Sequence, residues 1–407
     1  RAKMEQDKSS CAFETDGAII VGAGPSGMAV AACLKKVGVC SIVLERESCV
    51  ASLWKRRTYD RLKLHISKNF CELPFMEFPS EFPTFVGRDQ FVEYLEEYAK
   101  RFSIQPRFCQ SVESATFSRE TGKWRVITMC SLEKLEKIYS GRFLVVATGE
   151  NNEKFVPDLP GIETFEGSVI HSSEYKSGEG FKDKKVLVVG CGNSGMEIAL
   201  DLLHKDARPS IVVRSPLHIL PQKILGLSTF SVLTCLMNYF SLRTVDRLLL
   251  LYSRLSLGDT SAFGIARPVQ GPLELKRKIG KTPVLDVGTM AKIRTGDIKI
   301  SPNIKRVMAL NVEFEDNRVE RFDAIILATG YRSGVMRWLK EEGDFFSDNG
   351  FPREAFPNNW KGKNGLYAVG MGRRGLLGTS IDAQLIAQDI LQVYNSSCSL
   401  FDHCLTK

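Results

Sequence analysis

Two copies of one pattern constrain the fold of this chain more than any other feature. Each copy is an apolar strand followed by a glycine-rich turn, an amphipathic helix and a second apolar strand, and the copies cover residues 18–44 and 185–213. A buried strand, a crossover helix and a parallel strand form a right-handed βαβ unit. The repeat therefore predicts an α/β fold with two Rossmann-like dinucleotide-binding domains.

The first copy carries a complete GxGxxG turn. Gly22 permits the tight turn, Gly24 lets a pyrophosphate approach the backbone, and Gly27 allows close packing of helix against strand. Glu45 ends the next strand, 18 positions beyond Gly27, where its carboxylate can accept hydrogen bonds from both ribose hydroxyls. Such an acid favours a nucleotide without a 2′-phosphate. The pattern predicts an FAD site formed by Gly22, Ala23, Gly24, Pro25, Ser26, Gly27 and Glu45.

The second copy is equally complete but ends on a base. Its second strand leads to Arg214, whose guanidinium can grip a 2′-phosphate in a bidentate way, whereas a carboxylate would repel it. The alternative is that Arg214 is a solvated surface arginine. We predict an NADPH site formed by Gly190, Cys191, Gly192, Asn193, Ser194, Gly195 and Arg214. Two such sites in one chain imply hydride transfer from nicotinamide to flavin.

The domain order follows from a second repeat. An apolar strand that runs into Thr-Gly occurs at 144–149 and again at 324–330, on either side of the second copy. This repeated strand and Thr-Gly turn indicates that the chain leaves the first domain near the first Thr-Gly and returns to it near the second. We predict an FAD-binding domain in two parts, 1–155 and 306–407, with the NADPH-binding domain inserted at 156–305 and a helical insertion near 222–260.

Composition and cysteine spacing limit the electron acceptor and the partners. The 407 residues carry a net charge of +8, and no Lys/Arg run is dense enough to predict a nucleic-acid partner. Eleven cysteines include no CxxC pair and no metal-ligand spacing. They predict free thiols, no metal site and no disulfide reductase, which would need a redox pair. The electron acceptor is therefore expected to be oxygen or a diffusible molecule.

Localisation is predicted from hydropathy. Residues 1–16 are polar and show no signal-peptide core, which favours the cytoplasm. The most apolar stretch, 226–242, is diluted by polar residues and slightly short for a spanning helix. We expect helices packed on a domain face; the alternative is peripheral contact with a membrane, such as that of the endoplasmic reticulum.

Residues 165–175 carry a more specific signal. They match the FxGxxxHxxxY/F identifying sequence of class B flavin-dependent monooxygenases at Phe165, Gly167, His171 and Tyr175. The whole chain resembles the plant YUCCA subgroup of that family. Further matching stretches are 51–54, 59–65, 70–74, 171–178, 267–268, 271–272, 283–289 and 365–370.

The resemblance implies an activity: NADPH- and O₂-dependent oxidative decarboxylation of indole-3-pyruvate to indole-3-acetate, the auxin-forming step, through a C4a-(hydro)peroxyflavin. The segment 65–69 departs from the form that is usual in the subgroup, which leaves substrate preference open. One alternative is an N- or S-oxygenating monooxygenase of the same architecture. The other is a flavin-binding protein without catalysis.

Four further side chains are candidates for the site. Lys68 could place a cation near the oxygen adduct or a substrate carboxylate, or it could be a surface lysine. His171 could donate a proton or could hold the linker between domains. Trp54 could pack near the flavin or in the core. Thr379 precedes a helix predicted from about Ile381 to Val393, whose N-terminal amides could stabilise negative charge on the flavin.

Overall fold

The apolar runs that precede the glycine turns become the buried strands of two parallel sheets. A computed structural model describes residues 11–341 and 343–404. Its strands are β1 (Cys11–Val21), β2 (Ser41–Leu44), β3 (Gln110–Ser118), β4 (Lys123–Cys130), β5 (Glu136–Val146), β6 (Glu153–Lys154), β7 (Ser168–His171), β8 (Lys185–Val189), β9 (Arg208–Val212), β10 (Ile219–Pro221), β11 (Lys223–Ile224), β12 (Leu227–Ser228), β13 (Val284–Asp286), β14 (Lys299–Ser301), β15 (Ile304–Met308), β16 (Asn311–Phe314), β17 (Val319–Arg321), β18 (Ala324–Leu327), β19 (Tyr331–Arg332), β20 (Leu339–Lys340) and β21 (Leu366–Ala368).

The helices connect these strands and cover the sheets. They are α1 (Pro25–Lys36), α2 (Ser52–Arg56), α3 (Arg88–Arg101), α4 (Asn193–His204), α5 (Thr229–Met237), α6 (Leu242–Leu257), α7 (Pro272–Ile279), α8 (Thr289–Arg294), α9 (Val335–Trp338) and α10 (Gly375–Cys404). No helix within the described part of the chain is both long enough and apolar enough to span a membrane.

The first sheet combines a parallel half with an antiparallel meander. Its order is β2-β1-β5-β4-β3-β20, and β21 pairs with the last residues of β5. β2, β1, β5 and β21 run parallel, whereas β3, β4 and β5 are antiparallel. Ala18, Ile19 and Ile20 of β1 are completely buried, because the strand has neighbours on both edges and α1 on one face. The long helix α10 packs against α1, so the end of the chain returns to this first unit.

The second sheet is entirely parallel, in the order β14-β9-β8-β18-β7. β18 pairs with β8 on one edge and β7 on the other. β18 follows the boundary predicted at 305/306 yet pairs within the inserted sheet, and this topology favours a later boundary. Hydrophobic periodicity identified a buried strand but carried no information about which sheet would receive it. The fold is the predicted one, with one Rossmann-like unit inserted into another.

Two neighbouring chain segments connect the units. β6 leaves the first unit and β19 returns to it, and the two pair antiparallel, with Lys154 opposite Tyr331 and Glu153 opposite Arg332. After this crossing, β20 joins β3 and β21 joins β5. We propose domain boundaries at these strands, near residues 155 and 330.

The C-terminal helix also differs from its prediction. α10 begins at Gly375, six positions before the predicted start at Ile381. Gly375 has a φ of +61°, and Gly378 disfavours a helix by its own propensity. Packing against α1 overrides that propensity. Thr379, which was predicted to precede the helix, consequently lies within it.

Candidate active site

A cavity of about 540 Å³ opens at the carboxyl ends of the parallel strands of the first sheet. That edge is where open α/β sheets bind their ligands, and the volume is in the range of cofactor sites. Its wall brings together parts of the chain that are far apart in sequence. Among the lining residues are Gly22, Gly24, Pro25, Ser26, Glu45, Ser52, Trp54, Gln110, Thr148, Gly149, Glu150, Gly370, Gly375, Leu376 and Thr379.

The first glycine turn has the geometry that a pyrophosphate requires. Gly22 has a φ of +112°, and a Cβ there would lie 2.6 Å from the carbonyl oxygen of Ala147. A Cβ on Gly27 would overlap the carbonyl oxygen of Gly22, whereas one on Gly24 would meet no protein atom within 4 Å. α1 has no side-chain cap at its N-terminus. The open space at Gly24 and the uncapped amides fit an anionic ligand.

Glu45 is fixed at the opposite end of this turn. It is buried, and its carboxylate accepts hydrogen bonds from the backbone N–H of Ala23 at 2.8 Å, the N–H of Glu47 at 3.0 Å and the hydroxyl of Ser52 at 3.2 Å. These donors hold the carboxyl group in one orientation at the cavity wall. Trp54 lines the same cavity and packs edge-on against Phe91, with ring centroids 4.5 Å apart. Trp54 therefore lines the cavity with one part of its surface and packs against the core with another.

The N-terminus of α10 closes another side of the cavity. The hydroxyl of Thr379 lies 3.3 Å from that of Ser26, so α10 and α1 meet at their first turns. Gly370 has a φ of +68°, and a Cβ there would lie 2.5 Å from the Ser26 hydroxyl oxygen. The sequence analysis included Ser52 and Gly370 only within the stretches that match the family and did not assign either to the site. A glycine two positions after the end of the buried strand β21 was the available signal for Gly370, whereas no local pattern marked Ser52 as a partner of Glu45.

The second glycine turn repeats the geometry of the first. Gly190 has a φ of +116°, a Cβ on Gly195 would overlap the carbonyl oxygen of Gly190, and Gly192 faces open space. α4 starts without a side-chain cap. Arg214 is exposed, and its side chain takes part in no hydrogen bond or ion pair among residues 11–341 and 343–404. Its guanidinium therefore has its donors available for a phosphate.

The three residues between the glycines of this turn, Cys191, Asn193 and Ser194, lie in contact with the surrounding protein. Asn193 accepts a hydrogen bond from the backbone N–H of Leu285 at 2.9 Å, which joins the turn to β13. Burial raises the pKa of the Cys191 thiol to about 12, so this cysteine stays protonated. Ser194 lies in the first turn of α4, near the buried hydroxyl of Tyr59.

His171 lies at the crossing between the two units. The backbone N–H of Ser173 donates to Nδ1 at 3.2 Å, so the proton is on Nε2, which donates to the carbonyl oxygen of Gly330 at 3.2 Å. Tyr331 packs edge-on against the ring at 5.1 Å. Burial lowers the pKa of His171. These contacts favour the linker role over proton donation, because both ring nitrogens are engaged by the crossing itself.

Comparison with known proteins decides the family. The family model described as flavin-binding monooxygenase-like matches residues 16–343. The chain belongs to this family. Probable indole-3-pyruvate monooxygenase YUCCA9 of Arabidopsis thaliana is 55% identical over 380 residues, which are 93% of this chain and 90% of the relative. Indole-3-pyruvate monooxygenase YUCCA1 of Oryza sativa subsp. japonica is 53% identical, over 92% of this chain and 91% of its own. Within the flavin monooxygenases, the chain is a member of the YUCCA group.

Solved structures of flavin monooxygenases share the fold. A steroid monooxygenase bound to NADP matches with a TM-score of 0.73 at 16% identity, over 94% of this chain and 85% of that one. A flavin-containing monooxygenase from Stenotrophomonas maltophilia matches with a TM-score of 0.70 at 17% identity, over 94% and 99%. The arrangement of one Rossmann-like unit inside another is therefore that of solved flavin monooxygenases.

In this flavin monooxygenase, Lys68 does not reach the cavity wall. Its ammonium donates to the carbonyl oxygens of Pro79, Ser80 and Phe82 at 2.9, 3.0 and 2.8 Å, and it is absent from the residues that line the cavity. This geometry favours a structural role for Lys68 over the predicted catalytic one. The three donors of the ammonium are satisfied by one loop, so Lys68 holds that loop, a tertiary contact that local sequence did not reveal.

Proposed function

We propose that the protein is an NADPH- and O₂-dependent flavin monooxygenase that converts indole-3-pyruvate to indole-3-acetate, with release of CO₂, NADP⁺ and water. The observation that carries this proposal is the pair of glycine turns with opposite charges at their ribose ends, in a chain 55% identical to a probable indole-3-pyruvate monooxygenase. The identity extends over both nucleotide units, so it supports the same reaction and not the fold alone.

FAD fits the first cavity. The turn Gly22, Ala23, Gly24, Pro25, Ser26 and Gly27 would hold the pyrophosphate, Glu45 the ribose, and Trp54 and Thr379 would flank the rest of the cofactor. When bound, FAD supplies the redox chemistry by accepting hydride and activating oxygen. The protein would position the cofactor and stabilise its charge: the first turn of α1, which has no side-chain cap, would direct backbone amides at a ligand that carries negative charge, and the N-terminal end of α10 lines the same cavity.

NADPH fits the second turn. Gly190, Cys191, Gly192, Asn193, Ser194 and Gly195 would approach its pyrophosphate, and Arg214 would pair with the 2′-phosphate. His171 would act as a positioning residue, because its bonds to Ser173 and Gly330 hold the strand that leads from the inserted unit back to the first. No protein nucleophile is needed for this reaction; the cavity has only to orient the 2-oxo acid and exclude water.

The test is a product assay on purified holoenzyme. With NADPH, oxygen and indole-3-pyruvate, we expect indole-3-acetate by chromatography with mass detection, and one NADPH consumed for each product in the coupled reaction. NADPH consumption that is unchanged by the 2-oxo acid but rises with a thioether or a tertiary amine would contradict the proposal and support N- or S-oxygenation. Failure of NADPH to bleach the flavin absorbance anaerobically would instead support a protein without catalysis.

We also propose that the enzyme works in the cytoplasm and contacts anionic membrane surfaces through the helical insertion. Leu225, Tyr239 and Leu255 are 88%, 78% and 78% exposed, and α6 also carries three exposed arginines, namely Arg243, Arg247 and Arg254. An apolar face bordered by cations is typical of helices that lie in the interface of anionic lipid.

Vesicle binding tests the membrane proposal. We expect co-sedimentation with phosphatidylserine-containing vesicles, weaker binding to phosphatidylcholine alone, and loss of binding in the double variant Leu251→Ser, Leu255→Ser. Leu132→Ser is the matched control, because Leu132 is also 78% exposed but lies on a different surface loop. Equal binding by all three proteins would contradict the proposal, as would a change of oligomeric state in the double variant, which would assign the face to a second copy of the chain.

A further inference from the structure

Two cationic side chains that adjoin residues of the cavity wall, without belonging to the wall themselves, lack hydrogen-bond partners. Nη1 of Arg374 is buried and has no hydrogen-bond partner, while the guanidinium stacks on Phe356, with Cζ 3.7 Å from the ring centroid. Lys276 of α7 is half-buried, and its ammonium forms no hydrogen bond or ion pair in the described ranges 11–341 and 343–404. Buried cations are normally paired, since burial without a partner costs free energy.

These cations lie where the inserted unit meets the flavin cavity. Arg373 Nη1 donates to the carbonyl oxygen of Ile279 at 3.0 Å, which fixes the C-terminal end of α7 beside the segment that precedes α10. Glu150 lines the cavity, and its Oε2 is buried without a hydrogen-bond partner. Lys276 and Glu150 are close enough for each to shift the pKa of the other, yet they do not form an ion pair.

The charges of the cluster favour an anion. Lys276, Arg373 and Arg374 face two carboxyl groups, Glu150 and Asp382. Burial raises the pKa of both carboxyl groups, and Asp382 Oδ1 also lacks a hydrogen-bond partner. With both acids ionised the five groups still carry one excess positive charge. That excess suits one carboxylate better than the several charges of a nucleotide's phosphates.

We propose that Lys276 and Arg374 form the subsite that binds the carboxylate of the 2-oxo acid substrate. The inference rests on the proposed function. The planar guanidinium, stacked on Phe356 and with Nη1 unpartnered, has the geometry for a bidentate contact, and the lysine adds a point charge from the inserted unit. Glu150 adds an attractive charge near the ammonium but forms no ion pair with it. A substrate held in this way bridges α7 and the first turn of α10, so the subsite is completed by both units.

The test uses Lys276→Met and Arg374→Met, with Lys278→Met as the control because Lys278 is exposed on the same helix. Loss of a charge-assisted contact should lower kcat/KM for indole-3-pyruvate by about tenfold to a hundredfold. Inhibition by the neutral ketone indol-3-ylpropan-2-one, which lacks the carboxylate, should change less than threefold. Flavin content and the rate of anaerobic flavin reduction by NADPH should match the wild type in every variant, which also reports correct folding.

Further results distinguish a substrate subsite from a cofactor-phosphate site and from failure of the proposed function. Arg374→Lys, which keeps the charge but loses the fork, should recover only part of the lost kcat/KM. Variants that raise the KM for NADPH, or lower flavin content, while leaving kcat/KM for the 2-oxo acid at the wild-type value would overturn the inference and assign the cluster to a cofactor phosphate. If the wild type itself yields no indole-3-acetate, the proposed function has failed, not the subsite alone.

Discussion

Gly24 and Gly192 occupy equivalent places in the two nucleotide turns, and neither is required for folding. A Cβ at either position meets no protein atom within 4 Å, so the missing side chain matters only when a ligand approaches. We expect Gly24→Ala to fold normally and bind FAD at least about tenfold more weakly. Gly192→Ala should retain flavin and show a comparable increase in the KM for NADPH. Absorbance at the flavin band and steady-state kinetics measure the two effects.

Gly27→Ala is the contrasting control for that pair. Its Cβ would overlap the carbonyl oxygen of Gly22, and we expect a loss of at least about 1–3 kcal/mol in the free energy of unfolding. If Gly24→Ala proves as unstable as Gly27→Ala, or if the two cofactor phenotypes are exchanged, the assignment of the turns is wrong.

We propose that Arg214 sets the preference for the phosphorylated nicotinamide nucleotide. Because its guanidinium is exposed and unpaired in the described structure, Arg214→Glu should fold normally but repel the 2′-phosphate. We expect the ratio of kcat/KM for NADPH over NADH to fall by about tenfold to a hundredfold, as for loss of a charge-assisted bidentate contact. Steady-state oxidation of both nucleotides measures the ratio, and an unchanged ratio would place the phosphate grip elsewhere.

At the scale of elements, α7 depends on a residue from another helix. Its N-cap is Gly271, which has no side chain to offer. Asp246 of α6 replaces the cap by accepting from the backbone N–H of Leu273 at 2.8 Å and of Glu274 at 3.1 Å. The position of Lys276 therefore depends on a buried carboxylate in the preceding helix.

Removal of that carboxylate should affect stability and substrate binding together. We expect Asp246→Ala to lower the free energy of unfolding by about 1–2 kcal/mol and to raise the KM for indole-3-pyruvate without loss of flavin. Chemical denaturation and steady-state kinetics measure the two effects. Asp259→Ala is the control, because Asp259 caps an exposed turn by one bond to the N–H of Ser261 and should cost less. A wild-type stability for Asp246→Ala would contradict this account of α7.

Helices and strands could be predicted from the sequence where neighbouring residues alone determine their bounds. The bounds of β2, β8 and α4 follow directly from apolar runs and from the glycine turns, since sterics at Gly22 and Gly190 leave few alternatives. The sheet that receives β18, the early start of α10 and the carbonyl contacts of Lys68 depend on tertiary packing. No periodicity or motif encodes those contacts, so the sequence could not place them.

On the scale of the whole molecule, His171 makes the stability of the crossing between the two units depend on pH. Its pKa lies below the ordinary value of 6.5 because burial disfavours the charged ring. The unfolded chain then takes up a proton at a higher pH than the folded one, so stability falls as pH drops below about 6.5. The buried His218 acts in the same direction.

The pH dependence can be assigned by substitution. Between about pH 7.5 and about pH 5.5, the range of histidine titration, we expect the melting temperature of wild type to fall more than that of His171→Gln. A residual fall in the variant is expected from His218. Thermal unfolding followed by circular dichroism measures both slopes, and parallel slopes would show that the crossing does not sense protonation.

The pairing of β6 with β19 has a practical meaning for engineering. The chain's departure from the first unit and its return lie side by side on two hydrogen-bonded strands, about 4.8 Å apart as in any sheet. Both splice points for exchanging the inserted unit are therefore neighbours in space. A nicotinamide module from a homologue could be grafted as a cassette through one short double-stranded stem, without cutting the flavin module anywhere else.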